Sequence, residues 1–444
     1  MSRAVVIGGG LAGITAALDL ADAGAQVTLL EARSRLGGAT FSVEHDGLWL
    51  DNGQHVFLRC CTAYRALIDR LGVTHETTLQ ERLALPVLRP GGHVSWLRRA
   101  PLPAPYHLGP SFARFGPLPL RDRVRLLAPV RELQRQSLDD PSLDDITFGA
   151  WLAQRGQSRR AVDTMWDLFG LPTLNLHAGE ASLALAAMVF KTGMLEHADA
   201  ADIGYATVPL QQLHGDAAER ALAQRGVEVR TKARVSSLAE LDAETIVLAV
   251  PHDVAAELLP PDALAPGIEP VRLGVSPIVN LHVVYDRPVL QQPFAAVVDS
   301  PVQWVFDRTK SSGLDQVRDR YVPGPEGVLK QQCIAVSLSG ADEYMERTSA
   351  ELQDEFVPAL AQLLPAAASA RVESFFATRE PRATFRGAPG TAKHRPGAVT
   401  NIPGLFLAGA WTNTGWPATM EGAVRSGHAA AHAAIARVDE RVAA

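Results

Sequence analysis

At 444 residues the chain exceeds what one hydrophobic core organises, so two packed domains with a crevice between them are expected. Hydrophobic residues make up 47% and charged ones 20%, which excludes a largely disordered chain. The formal charge of -6, from 42 basic and 48 acidic residues, excludes a field that would gather nucleic acid.

Only three cysteines occur, two of them adjacent at Cys60 and Cys61, so neither a disulfide framework nor a Cys-rich metal site is drawn; no metal is expected, and a reducing compartment fits. The apolar stretch Ala4 to Leu20 is interrupted by Gly8, Gly9, Gly10 and Gly13 and reads as structure rather than a targeting signal. No uninterrupted apolar run approaches the ~20 residues a spanning helix needs, so any membrane contact is peripheral.

The first predicted element is a strand, Arg3 to Ile7, whose β-branched run suits a parallel sheet buried on both faces. Gly8, Gly10 and Gly13 follow at the spacing G-x-G-x-x-G, and Ile14 to Ala23 continues as a helix ending at Gly24. Gly8 permits the tight turn. Gly10, with Leu11 and Ala12, brings backbone N–H groups towards a pyrophosphate at the helix N-terminus, and Gly13 lets helix and strand pack closely. Gln26 to Leu30 supplies the second strand, and Glu31 closes it where ribose hydroxyls would bind. Dinucleotide binding therefore outweighs a plain glycine-rich turn. Glu31 in place of a cation argues against the 2′-phosphate of NADP and leaves NAD and FAD open.

Further along, Val227 to Arg230, Ala233 to Val235 and Thr245 to Pro251 read as short strands, and Ile402 to Ala408 as another before a helix that starts near Pro417. Nucleotide-binding signals thus fall in 1–75, 205–260 and 395–444. Residues 76–204, with helix-like stretches, and 261–394, with strand-like runs at Ser276–Tyr285, Trp304–Arg308 and Ile334–Leu338, form a second domain. The expected fold class is α/β: a Rossmann-type domain built from discontinuous segments plus an α+β substrate domain. Pro101 to Pro119 reads as a loop. Around it Arg98, Arg99, Arg114, Arg121, Arg123 and Arg125 mix with Tyr106, Phe112, Phe115 and Leu118, which suits either an anionic bilayer surface or a solvated face.

Directly after Glu31, Ala32-Arg33-Ser34-Arg35-Leu36-Gly37-Gly38-Ala39-Thr40 resembles the continuation found in amine oxidases and carotenoid desaturases, and Gly409-Ala410-Trp411-Thr412 resembles that superfamily's G-D-W-T element. The resemblance implies non-covalent FAD. It places Gly37 and Gly38 against the pyrophosphate, with Ala32, Arg33, Ala39 and Thr40 around them, and Val235 beside the adenine. Gly409, Ala410 and the helix start at Ala418, Thr419 and Met420 would face the flavin, where helix N–H groups stabilise negative charge. Two positions depart from the pattern: Ala39 stands where the family has Arg, and Ala410 where it has Asp. Each departure removes a charged hydrogen bond worth on the order of 1 to 3 kcal/mol unless Arg33, Arg35 or Asn413 compensates.

A second set of segments resembles a narrower group in the same order along the chain. Asp51-Asn52-Gly53-Gln54-His55-Val56-Phe57, Cys60 to Tyr64, Leu174-Asn175, Glu180-Ala181-Ser182, Ser276 to His282, Asp286-Arg287-Pro288 and Trp304 to Arg308 are similar to the squalene-associated FAD-dependent family, the hydroxysqualene dehydroxylases. That resemblance, and not composition, implies reductive removal of an allylic hydroxyl from a C30 isoprenoid, giving squalene in squalene and hopanoid biosynthesis. The electron donor is unidentified. Gly53, Gln54 and His55 are then expected beside the flavin. Gln54 and His55 are the candidate catalytic residues, with His55 either donating a proton to the leaving hydroxyl or hydrogen-bonding the flavin. Alternatives are a carotenoid or phytoene-type desaturase, more distantly an amine oxidase, and a flavin-free prenyl-lipid binding protein, towards which Ala39 and Ala410 point. The expected location is cytoplasmic or peripheral on the inner face of the cell membrane.

Overall fold

The computed structural model describes residues 3–314, 321–324 and 327–443. Arg3–Ile7 is the central strand of a five-stranded parallel sheet in the order Glu228–Arg230, Gln26–Leu30, Arg3–Ile7, Thr245–Leu248, Leu405–Leu407. Successive side chains alternate between two covered faces. Val6, Leu29, Val247 and Phe406 pack against the helix Leu11–Asp22 and the C-terminal helix Met420–Ala443, while Ile7, Leu248, Leu405 and Leu407 pack against Ala255, Leu273, Phe385 and Trp411. Burial on both faces is why these strands read as continuous apolar runs. Asp19 ties the two long helices together, lying 2.6 Å from Arg70 and 2.5 Å from His428.

The second sheet has seven strands in the order Val372–Thr384, Ser276–Tyr285, Gln332–Ser339, Trp304–Asp307, Phe294–Val297, Ala84–Arg89, His93–Arg98. All neighbours are antiparallel except Phe294–Val297 with Ala84–Arg89. One face, with Val279, Leu281, Val283, Val336 and Leu338, buries Leu352, Phe356 and Leu360 of the helix Ser349–Leu363. That helix starts on a reciprocal cap: the Thr348 hydroxyl accepts from the Glu351 N–H at 3.2 Å, and the Glu351 carboxylate accepts from the Thr348 N–H at 2.7 Å. At the far end Leu85, Val87, Phe294, Trp304 and Phe306 turn towards the helical region that holds Leu118, Leu133, Phe148, Trp166 and Phe190.

The elements differ from expectation in four places. Ala84–Arg89 and His93–Arg98 form a hairpin inside the stretch read as helical, because Ala84–Arg89 completes its pairing with Phe294–Val297, about two hundred residues away. Ala233–Val235 is extended but not a strand. Lys232 just before it adopts φ +56, which breaks the ladder after Arg230 and leaves the bonds from Lys232 N–H to Arg33 O and from Ala233 N–H to Glu31 O, both 2.8 Å. Ile402–Ala408 contracts to Leu405–Leu407, and the loop Pro101–Pro119 contains a short helix, Gly109–Ala113. Phe115 and Leu118, placed on a surface by the sequence, are buried. Among the described residues no helix is long and apolar enough to cross a membrane.

Candidate functional site

The glycine segments meet at the C-terminal edge of the parallel sheet, where ligands of such sheets bind. Gly8 follows the central strand, Gly10 caps the helix Leu11–Asp22, and the first helical bond runs from Ile14 N–H to Gly10 O at 2.9 Å. Helix geometry then leaves the N–H groups of Leu11, Ala12 and Gly13 free of intrahelical acceptors. A Cβ at Gly13 would lie 1.9 Å from Gly8 O, so close packing of helix on strand excludes any larger residue. Gly37 N–H donates to Gly9 O at 2.9 Å, which lays the Gly37–Gly38 segment beside Gly10. Gly38, at φ +59, would bring a Cβ to 2.7 Å from Gly10 Cα.

Glu31 lies at the end of the second strand with its carboxylate aimed back into this loop, accepting from Gly9 N–H and Arg33 N–H, both at 2.7 Å. Thr40 closes the Gly37–Thr40 turn by donating to Gly37 O at 2.8 Å. Ala32, Arg33 and Ala39 are exposed. Arg35 does not reach outward: its guanidinium sits 3.5 Å over the Phe41 ring. Val235 packs among Ile7, Leu248, Trp411 and Ala418.

The 51–55 segment joins this loop to the seven-stranded sheet. Asn52 holds both sides, its amide donating to Ala39 O at 2.8 Å and its side-chain oxygen accepting from Phe41 N–H at 3.1 Å, while Asn280 Nδ2 donates to Asn52 O at 2.9 Å. Asp51 forms a buried ion pair with Arg308 and also accepts from Ser42 Oγ at 2.6 Å and Leu210 N–H at 3.1 Å. Gly53 is close to the His55 ring, to which a Cβ would come within 3.1 Å. Burial pushes the rings of His55 and His282 down to about 4, with Asp51 opposing the shift and Arg308 adding to it. His214 is pushed to about 3 by burial and the neighbouring His55, and its Nε2 lies 2.9 Å from Tyr64 Oη. All three rings are therefore neutral at neutral pH.

Around these histidines several buried polar atoms have no hydrogen-bond partner among the described residues: both amide atoms of Gln54, Asn280 Oδ1, His282 Nε2 and Thr378 Oγ1. Asn280 and Thr378 are cross-strand partners, and His282 shares their face two residues on. Orphaned groups of this kind are rare in a native interior unless a ligand or water satisfies them.

The C-terminal element completes the edge. Gly409 N–H donates to Ser426 Oγ at 2.8 Å, and Trp411 Nε1 donates to Val250 O at 2.9 Å, so Trp411 is a core residue. The buried guanidinium of Arg395 gathers four carbonyls, those of Trp411, Ala410, Thr412 and Trp416 at 3.1, 3.4, 2.7 and 2.7 Å; burial lowers it to about 10. Thr419 Oγ1 accepts from Gly422 N–H at 3.1 Å where the helix beginning at Met420 starts, just after Ala418. Glu421 reaches from that turn to the N–H groups of Ala63 and Tyr64, at 3.1 and 2.7 Å, joining it to the helix Thr62–Arg70.

Residues 11–435 match the flavin containing amine oxidoreductases. The chain belongs to that family. It is 28% identical over 459 residues to the hydroxysqualene dehydroxylase of Rhodopseudomonas palustris, covering 98% of this chain and 99% of the relative. It is 26% identical over 491 residues to the zeta-carotene desaturase of Synechocystis sp., covering 98% and 97%. A solved structure of putrescine oxidase bound to putrescine superposes with a TM-score of 0.71 at 19% identity, covering 98% and 99%, which establishes the amine oxidase fold. Membership of this flavin-containing family implies FAD.

The residues present suit such a group. A crowded glycine cradle, an oriented Glu31 and an orphaned Gln54 amide lie in one connected stretch of loops. The sequence did not single out His214 or Arg395, and Asn52 entered only as part of a matched segment. Arg308 and His282 lay in matched segments without a role. Only tertiary contacts reveal these five, since an Asn in a turn or an Arg beside prolines carries no signal of its own.

Proposed function

We propose that the chain is an FAD-dependent oxidoreductase that reductively removes the allylic hydroxyl of hydroxysqualene. The observation that supports this most is the orphaned polar set of Gln54, Asn280, His282 and Thr378, because a hydroxyl and its departing water satisfy such atoms and an all-hydrocarbon polyene does not. The end-to-end match to a hydroxysqualene dehydroxylase is consistent with it. In this reading residues 1–75, 205–260 and 395–444 form the flavin domain and 76–204 with 261–394 the substrate domain.

Gly8, Gly10, Leu11, Ala12, Gly13, Gly37 and Gly38 receive the pyrophosphate on free N–H groups, with Ala39 and Thr40 shaping the turn. Glu31, Ala32 and Arg33 take the ribose side and Val235 the adenine. Gly53, Gln54, His55, Gly409, Ala410, Ala418, Thr419 and Met420 border the flavin. When bound and reduced, FAD supplies the hydride. With one proton the hydride replaces the hydroxyl, giving squalene and water. Gln54 and the neutral His55 hydrogen-bond the leaving oxygen, and the low pKa of His55 and His282 keeps positive charge away from a developing allylic cation. His55 thus acts from its neutral ring rather than as an imidazolium.

The match to a zeta-carotene desaturase, equally complete, favours a second reading in which oxidised flavin accepts hydride from a polyprenyl hydrocarbon. One experiment separates the two. Protein loaded with FAD is reduced anaerobically and mixed with hydroxysqualene; stoichiometric squalene with reoxidised flavin supports dehydroxylation. Bleaching of the oxidised protein by a polyprenyl hydrocarbon, with hydroxysqualene inert, replaces it. A preparation that takes up no FAD supports a flavin-free prenyl-lipid carrier.

A further inference from the structure

Six of the eleven large hydrophobic residues exposed among the described residues fall between Leu102 and Leu138. Three of these lie on two abutting helices, Leu120–Arg125 and Leu127–Arg135, and Leu126 between them keeps helical angles of φ -60 and ψ -26, so the backbone stays helical across the junction. Leu120, Val124 and Leu127 stand at i, i+4 and i+7, within about 60° of one another around the axis. They are 72%, 60% and 65% exposed.

The opposite face is the one that folding uses. Leu126 and Leu133 enter the large apolar core, and Asp122, the acid of the first helix, turns inward to accept from Ser158 Oγ at 2.9 Å. The acid of the second helix, Glu132, is paired with Arg155, which leaves the outward face with apolar and cationic groups. Arg121 is exposed beside Leu120 with its Nε 3.7 Å from Asp122 Oδ1, and Arg114, Arg125, Arg131 and Arg135 are exposed and form no ion pair among the described residues. Tyr106, 66% exposed, and Leu102 lie on the preceding turns, which Arg123 connects to this pair by donating to Ala113 O. An amphipathic helix with its apolar stripe pointing out and arginines along it has no reason in a water-surrounded fold.

We propose that the Leu120–Arg135 helix pair is a docking surface for an anionic phospholipid bilayer, with Leu120, Val124 and Leu127 entering the acyl boundary and the arginines engaging headgroup phosphates. Both sets of contacts are weak singly and act together, so binding depends on lipid charge and on salt. The inference stands on exposure and charge alone. It deepens the functional reading by giving an apolar substrate a route from the lipid phase, and its test uses no substrate, so either idea can fail without the other.

The test is co-sedimentation of the full chain with vesicles of phosphatidylcholine alone or mixed with phosphatidylglycerol. The expected result is partition onto the anionic vesicles that weakens in salt, and a loss of about tenfold or more in the variant Leu120→Ser/Val124→Ser/Leu127→Ser. Arg121→Gln/Arg125→Gln should lose the salt-sensitive part only. These positions are exposed, so an unchanged thermal midpoint and flavin absorbance show that each variant is folded. Equal partition of the triple variant and the wild type overturns the proposal. So does absence of vesicle binding combined with a concentration-dependent dimer that the triple variant abolishes, which would make the face a contact between two copies.

Discussion

Replacing Arg308 by Met tests whether the buried pair at the junction of the two sheets behaves as its surroundings require. The Asp51 and Arg308 side chains are only 5% and 10% exposed, so removing the guanidinium strands a carboxylate in the interior. Breaking such a pair from one side costs about 3 to 5 kcal/mol. Asp51→Asn/Arg308→Met should be far milder, within about 2 kcal/mol of the wild type, since the amide oxygen that replaces the carboxylate can still accept from Ser42 Oγ and Leu210 N–H. Urea denaturation followed by tryptophan fluorescence gives the stabilities of the wild type, Arg308→Met, Asp51→Asn and the double variant, and the cycle of these four gives the coupling. His55 and His282 provide a second readout: Arg308 holds both rings down, so Arg308→Met should raise their titration midpoints by NMR. A single replacement that costs less than about 1 kcal/mol, or a double replacement as damaging as the sum, would refute the reasoning.

Acid stability follows from the same cluster. The unfolded chain takes up protons near 6.5, whereas buried His55 and His282 resist until about 4 and His214 until about 3. Stability should therefore be level above about 6.5 and fall as pH drops towards 4, by up to roughly 3 kcal/mol per ring; a His282→Asn variant should flatten that slope in a pH series of denaturation curves. Gly38→Ala should weaken FAD retention on dilution, because its Cβ meets Gly10 Cα at 2.7 Å. Retention equal to the wild type would show that the two glycine segments are not the cradle. Glu31→Gln removes a charged acceptor from Gly9 and Arg33 and should cost about 1.5 to 3 kcal/mol of FAD affinity, measured by titration of the apoprotein. Arg395→Met frees the carbonyls of Trp411, Thr412 and Trp416, and should raise hydrogen exchange across 410–416 without unfolding the sheet.

What the sequence disclosed about this molecule was local. Arg3–Ile7, Gln26–Leu30 and Ser276–Tyr285 stand where their apolar patterns put them, since buried strands with matching neighbours on both sides leave a clear period. The hairpin Ala84–Arg98 escaped because its partner is so distant in sequence, and Ala233–Val235 because one left-handed residue ends a ladder without altering the pattern. The glycine loops were legible from steric necessity. The neutral histidine cluster was not, because a histidine's ionisation is set by what surrounds it in space, here Asp51, Arg308 and strands from three parts of the chain. The exposed helix face shows the same limit. The composition of 98–125 drew attention to it, but Phe115 and Leu118 face inward and Leu120, Val124 and Leu127 outward, which only helix phase decides.

The parallel sheet takes its strands from the first thirty residues, from 228–248 and from 405–407. During synthesis at about 5 to 20 residues per second, the strand Leu405–Leu407 leaves the ribosome roughly ten to thirty seconds after Thr245–Leu248. Throughout that interval the edge of Thr245–Leu248 is an open ladder of apolar residues, able to pair with another nascent chain. The C-terminal helix, which covers one face of the same sheet, arrives later still. Yield of soluble protein should therefore respond to chaperones that shelter nascent chains more than to the stability of the finished fold.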